Sequence, residues 1–513
     1  MTVSAHAGKH VVRNSLASLP VTEVVVAMRK ALMSLIHGSV ALALVLTSLA
    51  AVADDARLLQ GGRFGTLHVY EPGGTPEAVV LFASGDGGWN LGVLDMAAQL
   101  ARRHAVVVGF STPRYLHALA RVGGSCLYPA GDLESLSQFV QKKLKLAHYV
   151  APVLVGYSSG ATLVYAALAA APGGTFRGGI SLGFSADLAV QRPLCRGSGL
   201  RSVKSADGKA FDLLPRPLPV PWIALQGDID KDVSPKATNE FVRRTGNARV
   251  INLPHVGHGF SVERNWMPQY LAAFDGLLRS GDAVPATGLS APVVDLPLVA
   301  IEPKGVRGNY FAVVLSGDGG WVNIDRSIGT DLAAHGIPVV GLNSLQYFWT
   351  RRTPAGMGAD LARIIDHYGT LWKKPDFALI GYSRGADVLA FMVDSMPESL
   401  RRHIRLIALL GPGLKTSFEF HVSDWFGDAS HADDRLIEPA VARLAGINLL
   451  CVYGADETDS LCPRIRAQAG VSLLRTGGGH HFGGDYPVIA KRILSQLPLQ
   501  TAPTKDRDRR APL

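Results

Sequence analysis

The nonapeptide Ala378-Leu379-Ile380-Gly381-Tyr382-Ser383-Arg384-Gly385-Ala386 joins an apolar run to a segment with a helical pattern through the motif Gly-x-Ser-x-Gly. This pattern is typical of a nucleophile elbow, a sharp strand-to-helix turn that lifts a serine hydroxyl above a parallel sheet. The two glycines are needed because the strand and the helix pass so closely that a Cβ atom would clash. The serine itself is held in a strained backbone conformation. Alone, the motif is a weak signal, because glycine-rich chains contain it by chance.

The chain of 513 residues contains this arrangement twice. Four landmarks follow one another in the same order in both halves: the hexapeptide SGDGGW at 84–89 and 316–321, the elbow at 156–161 and 381–386, an acidic loop at 225–230 and 452–457, and a histidine shortly before a phenylalanine at 258–260 and 480–482. We therefore predict two tandem copies of one fold, at 56–283 and 294–499. A Pro- and Gly-containing linker at 284–293 separates them, and a charged, disordered tail follows at 500–513.

Short apolar runs alternate with longer helical patterns in each copy. In the second copy we predict strands at 311–315, 339–342, 378–380, 406–410 and 449–453, and helices at 358–368 and 386–395. Such alternation predicts a parallel sheet with helices on both faces and with all strand C-termini at one edge. Each landmark follows a strand, and the order serine, acid, histidine is that of α/β-hydrolases. The predicted fold class is therefore α/β: two tandem α/β-hydrolase-like domains, each a mostly parallel sheet flanked by helices.

The second copy contains the residue types of a catalytic triad. Serine alone is a poor nucleophile, so a histidine must take its proton and a carboxylate must hold the imidazole. We predict Ser383 as the nucleophile and His480 as the base, with the adjacent His481 as the alternative. The acid is Glu457 or Asp459, and the spacing leaves both open. The first copy holds its own candidates in the same order, Ser158, Asp230 and His258.

A triad also needs two backbone N–H groups that face the negative charge developing on the substrate oxygen. We predict one from Arg384, directly after the nucleophile, and one from the SGDGGW loop, in which Gly317 and Asp318 are candidates for substrate binding. A plain tight turn is the alternative interpretation of that loop. The chain shows no metal-ligand spacing, Walker loop or dinucleotide fingerprint, so we predict neither a metal nor a cofactor.

The N-terminal segment predicts export. A basic stretch at 28–30, an apolar run at 40–49 and the sequence Ala51-Val52-Ala53 have the layout of a signal peptide within a leader at 1–53, with cleavage after Ala53. An uncleaved membrane anchor is the alternative. We therefore expect a periplasmic protein, and in that oxidising compartment two disulfides, one in each copy, formed by Cys126 and Cys195 and by Cys451 and Cys462. Four buried thiols are the alternative.

The formal net charge of +9 is modest for this length. It favours approach to an anionic membrane surface. No basic stripe is interleaved with aromatic residues, so nucleic-acid binding is not predicted.

Five motifs of the second copy form a specific combination over residues 311–486: SGDGGW at 316–321, GYSRGAD at 381–387, FEFHVSDW at 418–425, YGADETDSLCP at 453–463 and GHHFGGDY at 479–486. In this combination the second copy resembles the bacterial virulence protein family VirJ. The exported, two-copy layout is similar to that of its longer relative AcvB. Because these motifs are stronger in the second copy, we expect it to carry the principal activity and the first copy to be accessory or regulatory.

The resemblance implies a periplasmic α/β-hydrolase that cleaves the aminoacyl ester of lysyl-phosphatidylglycerol, with an aminoacylated phospholipid membrane as its partner. The lysyl ammonium then requires an acidic pocket, for which Asp318, Asp387, Asp456 and Asp459 are candidates. Two alternatives stay open. One is a general carboxylesterase or peptidase of the same fold, and the other is a non-catalytic binding module that assists type IV secretion and contacts secretion-system components.

Overall fold

The computed structural model describes residues 56–123, 126–280, 293–305, 308–321, 323–420 and 432–497, which belong to one compact unit. The predicted signal peptide with its cleavage site, the tail and Trp425 lie outside the described residues. So does the predicted linker except Val293, which is fully buried in the core of the second half. Within the described ranges, no helix is both long enough and apolar enough to cross a membrane.

The strands of the first half are β1 (Arg57–Gln60), β2 (Thr66–Tyr70), β3 (Ala78–Ala83), β4 (Ala105–Phe110), β5 (Val153–Tyr157), β6 (Gly178–Leu182), β7 (Asp187–Leu188), β8 (Ser202–Lys204), β9 (Phe211–Leu213), β10 (Trp222–Gly227) and β11 (Ala248–Leu253). Three of them form a small antiparallel sheet with the order β7-β9-β8. The others form an eight-stranded sheet with the order β1-β2-β4-β3-β5-β6-β10-β11. The helices are α1 (Gly92–Ala101), α2 (Thr112–Leu119), α3 (Pro129–Lys143), α4 (Ser159–Ala170), α5 (Pro235–Arg243) and α6 (Met267–Ser280), with 3-10 turns at Gly62–Phe64 and Glu263–Asn265. Strand β2 runs antiparallel to both of its neighbours, and the pairs from β4 to β11 are parallel.

The strands of the second half are β12 (Leu298–Ile301), β13 (Tyr310–Leu315), β14 (Val339–Leu342), β15 (Asp376–Tyr382), β16 (Ile404–Leu410), β17 (Lys415–Thr416), β18 (Arg435–Leu436), β19 (Leu449–Gly454) and β20 (Val471–Thr476). Strands β17 and β18 form a separate pair. The others form a seven-stranded sheet with the order β12-β14-β13-β15-β16-β19-β20. The helices are α7 (Asn323–Ala334), α8 (Ser344–Tyr347), α9 (Pro354–Trp372), α10 (Arg384–Asp394), α11 (Glu398–Arg401), α12 (Glu438–Ala442), α13 (Cys462–Ile465) and α14 (Tyr486–Gln496), with a 3-10 turn at Phe482–Gly484. Among the described strands of the large sheet, only β12 is antiparallel to its neighbour.

The predicted fold class is confirmed: two mostly parallel sheets, each flanked by helices, follow one another along the chain. All five strands predicted in the second half are present, and 339–342 has the predicted bounds. The central strands β3 and β13 are buried along their whole length, as expected for strands covered on both faces. The predicted helix at 358–368 is longer, because Thr353 caps its N-terminus by accepting a hydrogen bond from Gly356 N–H at 3.1 Å.

Each half has its own hydrophobic core. Two clusters of buried residues fill the faces of the first sheet, and two others fill those of the second. A fifth, small cluster joins Tyr149 of the first half to Leu345, Trp349 and Phe420 of the second. These clusters also bury five aromatic residues of the second half, either in its own core or at the contact between the halves: Trp321, Tyr347, Phe348, Trp349 and Phe420.

The contact between the halves is also polar. The indole N–H of Trp349 donates to Leu146 O at 2.7 Å. The ammonium of Lys142, near the end of α3, donates to Trp349 O at 2.5 Å and lies 4.9 Å from the centre of the Trp349 ring. It also contacts the Glu419 carboxylate at 3.5 Å. These polar groups are partly buried, and each has a hydrogen-bond or ion-pair partner in the other half. They therefore fix the position of α3 against the second half.

Candidate active site

Both elbows have the strained geometry that their sequences predict. Ser383 has φ 51° and ψ −119°, and Ser158 has φ 54° and ψ −120°, in a region that L-residues rarely adopt. A Cβ atom on Gly385 would lie 2.3 Å from Leu315 O, and one on Gly381 would lie 2.4 Å from Gly385 O. The glycines are therefore required by backbone contact, and the serine lies at the N-terminus of a helix that starts one residue later.

In the second half, three of the predicted side chains form one hydrogen-bonded chain. His480 Nε2 lies 2.8 Å from Ser383 Oγ, and His480 Nδ1 lies 2.6 Å from Glu457 Oε1. The other Glu457 oxygen accepts from Gly454 N–H at 2.6 Å, which fixes the carboxylate. This is the arrangement in which a histidine can take a proton from the serine while the acid holds the imidazole.

The structure also separates the alternatives that the sequence left open. Asp459 is exposed and lies outside this hydrogen-bonded chain, because the turn that starts at Gly454 directs Glu457 to the histidine. His481 instead places Nδ1 3.0 Å from the hydroxyl of Tyr382. Burial, reinforced by the nearby His480, lowers the pKa of His481 and favours its neutral form.

The first half repeats the chain. His258 Nε2 lies 3.0 Å from Ser158 Oγ, and His258 Nδ1 lies 2.9 Å from Asp230 Oδ2. Asp230 also accepts from the backbone N–H groups of Asp232 and Val233 at 3.0 and 2.9 Å. The two histidines differ in exposure: the side chain of His258 is 16% exposed and that of His480 is 43% exposed.

Among the described residues, Asp230, Asp232 and His258 could in principle hold a cation, because one ligand atom from each lies within 4.8 Å of the others. However, both nitrogens of His258 are already within hydrogen-bond distance of Ser158 and Asp230. Both oxygens of Asp230 also accept hydrogen bonds. A metal would have to displace these contacts, so the arrangement fits a triad better than a metal site.

The SGDGGW loop of the second half is anchored to neighbouring elements and passes close to the nucleophile. Ser316 Oγ accepts from Ser344 N–H at 2.9 Å and so ties the loop to the start of α8. A Cβ atom on Gly341 would lie 2.2 Å from the Trp321 ring, so that the tryptophan packs directly over the adjacent strand. A Cβ atom on Gly317 would lie 3.3 Å from Ser383 Cβ, which shows how closely the loop passes the nucleophile.

The Arg384 side chain is engaged within the protein. Its Nε donates to Asp318 Oδ1 at 2.8 Å, and another of its nitrogens donates to Ser417 O at 3.0 Å. The nearby Asp387 is partly buried and accepts from Gly413 N–H at 2.8 Å. Burial raises the pKa of Asp387 to about 7. Among the described residues, the Arg384 side chain therefore pairs with Asp318.

A cavity of about 610 Å³ opens in front of Ser383 and His480, and both halves line it. The second half contributes the SGDGGW loop, Tyr382, His481 and Tyr486, and the first half contributes Tyr128, Gly131, Glu134, Pro172, Thr175, Gly197 and Ser198. Burial, and then the nearby Asp318 carboxylate, raise the pKa of Glu134 to about 8. Of the four acids expected to form an acidic pocket, only Asp318 is among the described residues that line this cavity.

Sequence reasoning missed the residues that come from the first half. Tyr128 and Glu134 lie at and near the start of α3, in a segment without any of the repeated landmarks. The only signal near them is Cys126, which pairs with Cys195 two residues before Gly197. Both predicted disulfides, Cys126–Cys195 and Cys451–Cys462, are present.

The two sheets and their elbows place this chain in the α/β-hydrolase class. The family model described as bacterial virulence protein (VirJ) matches residues 77–177 and 309–501, in both halves and over more than half of the chain. The chain therefore belongs to the VirJ family, as its motifs predicted.

Comparison with other proteins adds only distant neighbours. No curated protein matches the chain. A butyrate-bound esterase, Est2 of Thermogutta terrifontis, is 15% identical, covering 45% of this chain and 96% of its own, with a TM-score of 0.32. The same esterase phosphorylated by paraoxon is 14% identical, with the same coverage and TM-score. An esterase domain from a Rhodothermus marinus protein is 15% identical, covering 42% of this chain and 92% of its own, with a TM-score of 0.28.

Proposed function

We propose that this protein is a periplasmic serine hydrolase that cleaves carboxylic esters, with Ser383 as its principal nucleophile. The observation that carries the proposal is the hydrogen-bonded chain from Ser383 through His480 to Glu457, on a strained elbow that faces a cavity. Two disulfides support an oxidising compartment, because such bonds persist outside the reducing cytosol.

On this proposal, ester cleavage follows the steps of a serine hydrolase. His480 Nε2 takes the Ser383 proton as Oγ attacks the ester carbonyl, and Glu457 stabilises the imidazolium that forms. The oxyanion of the tetrahedral intermediate accepts hydrogen bonds from Arg384 N–H, at the N-terminus of α10, and from the backbone of the SGDGGW loop. His480 then protonates the leaving alcohol. Water attacks the acyl-enzyme, with His480 acting again as the base, and releases the acid.

As substrate we propose the aminoacyl ester of lysyl-phosphatidylglycerol, cleaved at the surface of an anionic or aminoacylated phospholipid membrane. Membership of the VirJ family supports this substrate, because the family resemblance implies it. The carboxylates of Asp318 and Glu134 at the cavity also suit a substrate with a positively charged acyl group. An aminoacyl ester has an activated carbonyl, which suits attack by a serine nucleophile.

The nucleophile is tested by labelling with a fluorophosphonate probe. We expect the wild-type protein and S158A to be labelled, S383A to lose most of the label, and the double variant to be unlabelled. Failure of the wild-type protein to react at either serine would favour the alternative of a non-catalytic binding module that assists secretion.

The substrate is tested by lipid analysis in cells that make lysyl-phosphatidylglycerol. Replacement of Ser383 by alanine should raise the lysyl-lipid level, and the wild-type gene should restore it. An unchanged lipid profile, together with hydrolysis of simple acyl esters by the purified protein, would contradict this substrate and favour a general carboxylesterase.

A second hydrolytic site in the first half is the other candidate, since Ser158, His258 and Asp230 form an equally complete hydrogen-bonded chain. Residual labelling of S383A at Ser158 would support it. In that case the first half is more than an accessory to the second.

A further inference from the structure

Helix α3 connects the contact between the halves to the cavity. Near its C-terminal end, Lys142 is held by Trp349 and Glu419 of the second half. At its N-terminal end, Tyr128, Gly131 and Glu134 line the cavity in front of Ser383. Because one rigid helix carries both sets of residues, docking of the halves fixes where Glu134 lies relative to the nucleophile of the other half.

The charges around the cavity are unbalanced. No lysine or arginine is among the described residues that line it. Asp318 is paired with Arg384. By contrast, no ion pair or hydrogen bond reaches the Glu134 side chain from any described residue, although this side chain is half-buried at the cavity wall. A carboxylate removed from water is costly unless a donor or a cation compensates it. The energetic cost is visible in the pKa of Glu134, which burial raises to about 8.

We propose that Glu134 is a specificity residue of the Ser383 site, supplied by the other half of the chain, and that it binds an ammonium group on the acyl part of the substrate ester. An ammonium group gives the carboxylate the charged donor that the protein does not provide. The inference rests on the proposed function, because it assigns the substrate preference of the same site. It also gives the first half a role that does not depend on its own triad.

The test uses the full-length protein and two esters, one with and one without ammonium groups on the acyl part: the glyceryl esters of lysine and of Nα,Nε-diacetyl-lysine. Replacement of Glu134 by glutamine keeps the shape and removes the negative charge. We expect kcat/KM for the lysine ester to fall by about tenfold to a hundredfold, mainly through KM, because a hydrogen bond to a charged group is lost. The diacetyl ester should change less than twofold.

Two further variants keep the test decisive. E134D retains the charge and should keep part of the preference for the lysine ester, whereas E77Q removes an exposed carboxylate elsewhere in the first half and should change neither rate. Circular dichroism and thermal unfolding verify that each variant is folded. Equal losses on both esters, or no loss on the lysine ester, would overturn the role of Glu134.

The outcomes also separate this inference from the function on which it rests. If the wild-type protein cleaves both esters through Ser383 and E134Q alters neither preference nor rate, only the role of Glu134 fails. If the wild-type protein cleaves neither ester and Ser383 does not react with the probe, the hydrolase function fails, and the role of Glu134 with it.

Discussion

The carboxylate of Glu457 is held at both oxygens, one by His480 and the other by the backbone N–H of Gly454. Its neighbour Asp459 points to solvent, two residues further along the same loop. The difference matters for catalysis because only a carboxylate fixed against the imidazole selects its tautomer and stabilises its charged form.

We predict that E457Q lowers kcat by about two to four orders of magnitude, because the imidazolium loses its counter-charge. The matched variant D459N, which removes the same charge from the same loop, should leave kcat within about twofold, as expected for an exposed side chain. Ester hydrolysis by the two purified proteins distinguishes them. A larger loss in D459N than in E457Q would assign the acid to Asp459.

Single residues were predictable from the sequence where a motif restricts them. Ser383 follows from the glycines around it, and His480 from its alignment with His258. The choice between Glu457 and Asp459 was not predictable, because both lie in one short loop and backbone hydrogen bonding decides which one turns towards the histidine. The role of His481 was not predictable either, because its hydrogen-bond partner Tyr382 is next to the nucleophile and far from His481 in sequence.

At the scale of elements, the elbow between β15 and α10 depends on backbone contact. A Cβ atom on Gly385 would come within 2.3 Å of a carbonyl oxygen of β13, so the helix can cross the sheet here only if this residue has no side chain. Gly477, after β20, faces open space and has no such restriction.

Replacement of Gly385 by alanine should therefore lower the free energy of unfolding by about 1–3 kcal/mol, the usual cost of overpacking. It should also reduce labelling of Ser383, because the helix has to shift. G477A should change the free energy of unfolding by less than about 1 kcal/mol, in either direction. Urea unfolding measures both variants, and similar values for the two would show that the close approach at the elbow is not needed for folding.

The sheets were largely predictable because buried parallel strands have continuous apolar sequences. Strand β14 has its predicted bounds, and β15 extends two residues beyond them at each end. The edge strands β12 and β20 were not predicted. Both are only partly buried, and the sequence of β20 is also interrupted by polar residues, whereas the four residues of β12 are all apolar.

At the scale of the whole molecule, the two halves meet around Trp349. Lys142 reaches from α3 into this contact, and burial lowers its pKa, an effect that the Glu419 carboxylate opposes. The lysine is charged at neutral pH only at the cost of its hydration, which its hydrogen bonds to the second half offset.

Replacing Lys142 by methionine keeps most of the apolar stem and removes the ammonium. We expect a loss of about 1–3 kcal/mol in the free energy of unfolding, because Trp349 O loses a charged donor. The adjacent Lys143 is exposed, so K143M should stay within about 0.5 kcal/mol of the wild-type protein. Differential scanning calorimetry measures both, and a K142M curve that coincides with that of K143M would show that this contact does not hold the halves together.

The composite cavity is the feature of the whole molecule that the sequence did not predict. Two copies and two elbows follow from repeated motifs, but the docking of one copy on the other depends on side chains such as Trp349 and Lys142, which belong to no motif. The position of Glu134 at the cavity depends on this docking. The docking in turn depends on contacts between residues that are far apart in sequence, which local sequence patterns do not predict.

The Cys126–Cys195 bond joins the two segments of the first half that reach this cavity. Tyr128 follows one cysteine, and Gly197 and Ser198 follow the other. The segments also exchange backbone hydrogen bonds, since Leu127 N–H donates to Pro193 O and Cys195 N–H donates to Leu127 O. If the sulfurs were reduced, Ser383 would keep its triad, but the opposite rim would lose its covalent tie. On the proposed function, an oxidising compartment would then contribute to substrate choice, because closure of this bond completes the wall of the cavity opposite Ser383.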